Sequence, residues 1–89
     1  DDFYGEYSTH HQSRTHMRMW RTDRWKLIRD FLNPGRNEFY DLQRDTAETR
    51  NLINSARPDV REAIRALNGK IVTRMKEVKD PVMKLFPGM

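Results

Sequence analysis

The sequence predicts an α+β fold: a four-stranded antiparallel sheet with one long C-terminal helix packed on one of its faces. Three observations lead there. Residues 17–31 alternate large apolar side chains with charged ones on either side of a break at Thr22-Asp23-Arg24, the period of half-buried strands folded into a hairpin. Aromatic-rich stretches at 3–7 and 38–42 flank that hairpin. From Pro58 the period lengthens from two to 3.6, and Val60, Ile64, Leu67, Ile71, Met75 and Val78 fall on one narrow stripe, flanked by Ala63.

Taken in order, Phe3-Tyr4-Gly5-Glu6-Tyr7 is a first strand, its aromatics suited to a pleated surface and its Gly to a close backbone approach. Residues 8–15, Ser-Thr-His-His-Gln-Ser-Arg-Thr, are polar throughout and read as a loop dense in donors and acceptors. Strands at 16–21 and 25–31 follow. With Asp23-Arg24 as a two-residue turn, Trp20 faces Leu27, Met19 faces Ile28 and Arg18 faces Arg29. Asp-Arg is not a preferred two-residue turn, which leaves a register shifted by one residue as the alternative. Asn33-Pro34-Gly35-Arg36-Asn37 concentrates turn chemistry, and Glu38 to Leu42 is a fourth strand. Asp45-Thr46-Ala47-Glu48 has the spacing of a capping box and predicts a helical turn over 45–52. Pro58 suits the first turn of the long helix, 58–78, which Asp80-Pro81 ends. The tail, 79–89, is apolar enough to dock.

At 89 residues the chain is one small domain, its sheet at 3–42, with 36% hydrophobic and 34% charged residues, so its core is thin. No apolar run approaches the eighteen residues of a membrane-spanning helix, so no membrane partner is expected. The net charge is +4, from seventeen cations, twelve of them Arg, against thirteen acids. These charges are interspersed rather than clustered, which argues against a nucleic-acid partner. With no cysteine there is no disulfide, thiol nucleophile or thiolate metal site.

The remaining chemistry is sparse. His10, His11 and His16 are the only histidines, with Glu6 the nearest carboxylate in sequence, too few ligands for a closed metal site. Ser8 and Ser13 lie near histidines, but no orienting acid or oxyanion hole is indexed. There is no Gly-rich phosphate loop. Arg14, Arg18, Arg21 and Arg29 could contact an anion through their planar forks or cover apolar surface with their stems. The residues alone therefore assign no catalytic and no metal-ligating side chain.

The segment Arg18-Met-Trp-Arg-Thr-Asp-Arg-Trp-Lys-Leu-Ile28, then Glu38-Phe-Tyr-Asp-Leu42, then Asp45-x-x-Glu48-x-x-Asn51-Leu52 resembles the C-terminal subdomain of the sulfatases. In that family a strand pair of the type Met-Val-Arg-Thr-x-x-Tyr-Lys-Leu-Ile is followed by Glu-Leu-Tyr-Asp-Leu, by Asp-Pro-x-Glu-x-x-Asn-Leu and then by a helix. The resemblance spans residues 3–78 in order and spacing. It departs at Trp20 and Trp25, where an aliphatic and a Tyr are usual, at Phe39 for Leu and at Thr46 for Pro.

That resemblance implies a much larger N-terminal α/β catalytic domain as the partner of this chain, and a sulfate ester as the parent's substrate. It also implies a formylglycine, made from Cys or Ser in a Cys/Ser-x-Pro-x-Arg motif, and a calcium ion held by an Asp/Asn cluster. Both are expected in the parent, because this chain has neither the motif nor the acidic cluster. The chain looks like the end of an enzyme, without a nucleophile or cofactor of its own; family members are often exported or periplasmic. The helix covers one sheet face, and the other should meet the catalytic domain, with self-association through that face as the alternative. The polar loop would then reach the mouth of the active site, making His10, His11 and Arg14 the expected substrate-binding residues. A competing function is a basic Arg/aromatic module that binds polyanions on its own.

Overall fold

A computed structural model describes residues 2–10 and 14–85. Strands β1 (Phe3–His10), β2 (Arg14–Arg21), β3 (Trp25–Asp30) and β4 (Glu38–Asp41) form one antiparallel sheet in the order β1-β2-β3-β4. Helix α1 (Pro58–Glu77) lies across one face against β2 and β3, and a short helix α2 (Val82–Leu85) follows it.

The central register is the one the alternation predicts: Trp20 pairs with Leu27, Met19 with Ile28 and Arg18 with Arg29. Thr22 makes the unfavoured Asp23-Arg24 turn workable. Its N–H donates to the Trp25 carbonyl at 2.8 Å, while its hydroxyl accepts from the N–H groups of Arg24 and Trp25 at 3.3 and 3.0 Å, a local side-chain bond that offsets poor turn propensity. Beyond β3, the buried Asp30 carboxylate accepts from the N–H groups of Leu32 and Asn33. It thereby orders the turn that leads into one 3₁₀ turn, Pro34–Arg36.

Trp20 and Leu27 on β2 and β3, and Phe39 on β4, share the face that meets α1. There Val60, Ala63, Leu67, Ile71 and Met75 are buried against Leu27, Phe31 and Phe39. Ile64, expected on this stripe, is half-buried at its margin. Val78, also expected there, is 43% exposed, because the helix ends at Glu77 and Val78 is already its C-cap. The exit is a Schellman turn: the Asp80 N–H donates to the Met75 carbonyl at 2.9 Å and the Lys79 N–H to the Lys76 carbonyl at 3.2 Å. Lys79 holds the left-handed position, φ 53°, where glycine is the usual occupant. Lys79→Gly is therefore expected to raise stability by about 0.5–1 kcal/mol, net of the glycine's extra freedom in the unfolded chain. A higher urea midpoint with an unchanged slope is the reading; a lower one would mean that the lysine side chain makes a contact worth more than the strain. The turn swings Val82 into the core, the docking that the apolar tail called for.

Three expectations need correction. The polar stretch read as a loop over 8–15 is mostly strand, since β1 runs to His10 and β2 begins at Arg14. A ladder is built from backbone bonds and needs no apolar period. The residues at 45–52 form no helical turn. The Asp45 carboxylate accepts from the N–H groups of Thr49 and Arg50 at 3.0 and 2.9 Å. Glu48 takes φ 54°, which cannot continue a helix, and pairs with Lys26 at 2.7 Å rather than reaching back to Asp45. The motif serves the sheet instead: the Asn51 side-chain oxygen accepts from the Phe39 N–H at 2.9 Å and the Leu52 N–H donates to the Phe39 carbonyl at 2.7 Å. The outer edge of β4 is thus paired, closing a row of backbone groups that an edge strand would expose. Finally, α1 spans 58–77, one residue short of the predicted end.

Candidate functional site

Two features could serve an enzyme's substrate or its catalytic domain: the β1–β2 arm and the open sheet face. The arm extends past the rest of the sheet. β3 pairs with β2 only from Met17 onward, and the last tie is the Phe31 N–H to the His16 carbonyl at 3.0 Å. Beyond it, Ser8 pairs with His16, Thr9 with Thr15 and His10 with Arg14. The structure therefore brings two of the three expected substrate-binding positions, His10 and Arg14, directly opposite each other in the last pair of the ladder. His11, the third, lies outside the described residues.

At the base of the arm sits a buried ion pair between residues 62 apart in sequence. Arg18 Nε donates to Asp80 Oδ2 at 2.6 Å and Arg18 Nη2 to Asp80 Oδ1 at 2.9 Å, while Arg18 Nη1 donates to the Met17 carbonyl at 2.8 Å. The two side chains are 5% and 2% exposed. Asp80 Oδ1 also accepts the Val82 N–H at 3.0 Å. The Arg18 hydrogen bonds hold the Asp80 carboxyl below the usual carboxylate range, against the opposing effect of its burial. Arg18, one of the arginines that could have met a ligand, is thus committed to Asp80 as a bidentate pair. Its role is to tie β2 to the chain leaving α1.

The face of the sheet away from α1 carries Phe3, Gly5, Met17, Met19, Arg21, Lys26, Ile28 and Tyr40, by strand alternation and register. Gly5 lets the Met19 side chain pack close to the strand: a Cβ on it would lie 3.2 Å from Met19 Cε, and the methionine would have to give by a few tenths of an ångström. Met17, Met19 and Ile28 border a shallow, mostly apolar depression of about 310 Å³. Phe3, at the edge, is 61% exposed. A polar flank closes the other side, where the Tyr40 hydroxyl donates to Glu38 and Lys26 pairs with Glu48. That hydrogen bond, aided by burial, pushes the Tyr40 phenol up to about 12.

Among the described residues no three of His, Asp or Glu converge at metal-ligating distance. The described residues therefore gather no donor set for a calcium ion, which takes six to eight oxygens. No helix among the described residues is long and apolar enough to cross a membrane.

Residues 2–78 match the family model described as N-sulphoglucosamine sulphohydrolase, C-terminal. The matched span takes in all four strands and α1 and stops two residues before Asp80. No curated protein matches the chain.

Proposed function

The chain belongs to the family of N-sulphoglucosamine sulphohydrolase C-terminal domains, a sulfatase family, and from that premise we propose that it lines the substrate pocket of its parent enzyme and stabilises the catalytic domain N-terminal to it. The observation that carries the proposal is the family match across the whole sheet and α1. Two features support it. The arm ending in the His10–Arg14 pair projects past the body of the sheet, and protruding segments on a rigid scaffold are where binding residues concentrate. The open face with Met17, Met19, Ile28 and Phe3 presents apolar side chains in one patch, the kind of surface that marks an interface.

In this arrangement the catalytic domain covers the open face and the arm reaches toward the bound sulfate ester. His10, His11 and Arg14 supply donors to the leaving group or to the sulfo oxygens, and the nucleophile comes from the other domain. Replacing each of the three by Ala in the full-length enzyme is expected to lower kcat/KM at least about tenfold for at least one of them, the loss of one hydrogen bond to a charged group. A contact made equally in ground and transition states appears in KM, and one made only in the transition state appears in kcat. Wild-type kcat/KM in all three variants across several sulfate esters would remove the pocket-lining role. Concentration-dependent sedimentation of the isolated chain, abolished by Ile28→Asp, would point instead to self-association through the open face.

A further inference from the structure

Arg18 and Arg29 face each other across β2 and β3 on the helix side of the sheet. Like charges directly opposite repel, and the fold resolves the conflict on one side only. Arg18 receives Asp80. Arg29 receives no carboxylate among the described residues. Its Nη1 donates to the neutral Asn68 side-chain oxygen, its guanidinium lies 4.3 Å from the centre of the Phe31 ring, and it is half-buried. Burial without a counter-charge also lowers its pKa.

Arg29 opens onto a cleft of about 460 Å³ between β3, α1 and the segment that follows β4. Arg61, Arg65 and Asn68 of α1 stand four and three residues apart, on one helix face, and line one wall. Asn37 and Asn54 line the other, and among the described residues no acid lines the cleft. Arg61 Nη1 donates to the Ile53 carbonyl at 2.8 Å, which holds that side chain across the gap. Arg65 meets Glu62 at 2.8 Å, but both side chains are more than two-thirds exposed, and such a pair holds its members weakly. A guanidinium carries five N–H donors, so Arg29 and Arg61 keep most of theirs for something else.

We propose that this cleft binds a tetrahedral oxyanion, a sulfo or phospho group either free or carried on a sugar, through Arg29, Arg61 and Arg65 with the Asn68 amide beside them. Arg29, Arg61 and Arg65 line one cleft, Arg65 with its exposed partner Glu62 beside it, and guanidinium forks suit the charge and the oxygens of such a group. The volume falls in the range of small-ligand sites and admits an anionic monosaccharide. The site lies on the helix side of the sheet, whereas the apolar patch assigned to the catalytic domain lies on the other, so its occupancy does not depend on the role of the arm.

Arginine Nε–H and asparagine side-chain signals of the ¹⁵N-labelled chain, followed during titration with sodium sulfate at constant ionic strength, provide the test. Saturable shifts at Arg29, Arg61 and Arg65 are expected, with inorganic phosphate acting similarly and chloride not. A sulfated monosaccharide that saturates at lower concentration than free sulfate identifies a sugar-borne group; equal saturation identifies the free anion. Arg61→Gln and Arg65→Gln change exposed side chains, and each is expected to raise the apparent Kd by about threefold to tenfold. Arg29→Gln is expected to abolish saturation; should it disturb the fold, the two helix variants decide. Shifts that rise linearly with sulfate, or that persist in the Arg61→Gln/Arg65→Gln double variant, overturn the proposal. In the parent enzyme the readout is the sulfate-dependent rise in Tm, which the double variant is expected to reduce; an equal rise in both proteins overturns the proposal there as well.

Discussion

Asp80→Ala is expected to cost about 3–5 kcal/mol, because it leaves the Arg18 guanidinium buried without its counter-charge. A domain of this size has only about 5–10 kcal/mol to lose, so the variant should be largely unfolded well below the wild-type Tm. The geometry explains the size of the effect: two charge-assisted bonds of 2.6 and 2.9 Å join a strand to the chain just after α1, 62 residues later. Replacing both members by apolar residues, Arg18→Met with Asp80→Leu, should recover most of the loss, since desolvation of the pair largely offsets its attraction. An Asp80→Ala cost below about 1 kcal/mol would mean that water reaches Arg18 and that the pair does not lock the helix exit.

The same pair sets a pH dependence. The folded-state pKa of Asp80 lies below its ordinary value, chiefly through the Arg18 hydrogen bonds. Its contribution is therefore fully present above the unfolded-state value, near 4, and is lost as pH falls through the lower folded-state value. Asp45 and Asp59 are held low as well, by the Thr49 and Arg50 N–H groups and by Arg57 respectively, so the wild-type urea midpoint should fall steeply on acidification below about pH 4. Asp80→Ala should retain only the part of that slope due to the other carboxylates. An identical slope in the variant would show that Asp80 is not titrating differently in the folded and unfolded chains.

Phe39→Ala is expected to cost about 3–5 kcal/mol, the combined loss of buried area and the cavity left behind. Phe39 is fully buried, pairs across the sheet with Leu27 and stacks on Trp25 with ring centroids 5.2 Å apart. Its backbone also carries the clip from Asn51 and Leu52, so movement of β4 into the vacated space would pull on that edge too. The urea midpoint should fall with the slope unchanged. A changed slope would mean that β4 and the 45–52 segment had detached as a unit; a loss under about 1 kcal/mol would mean that the site collapses freely and that Phe39 does not centre the core.

The fold was legible wherever the controlling interaction is local in sequence. Alternation at 17–31 gave the hairpin, and a two-residue turn at Asp23-Arg24 fixed Trp20 on Leu27, because the side-chain period of a strand is two and a slip of one residue would turn every apolar group to the wrong face. The 3.6-residue stripe gave α1 for the same kind of reason, and five of the seven positions expected on it or beside it are buried. The Asp45-x-x-Glu48-x-x-Asn51-Leu52 motif was legible as a pattern but not as a structure. Its spacing fits a capping box, and only the proximity of Phe39 and Lys26 in the folded chain turns its side chains to the edge of β4.

The partners of the arginines were decided by tertiary structure alone. Arg18 and Arg29 are alike in sequence, cationic positions in alternating strands, and nothing local distinguishes them. The Schellman turn at Lys79 carries Asp80 to Arg18, whereas α1 presents Asn68, Arg61 and Arg65 beside Arg29. One arginine thereby becomes a buried strut and the other the wall of a cleft, because charge pairing depends on distance in space and the periodicity of a chain reports only which face each residue takes.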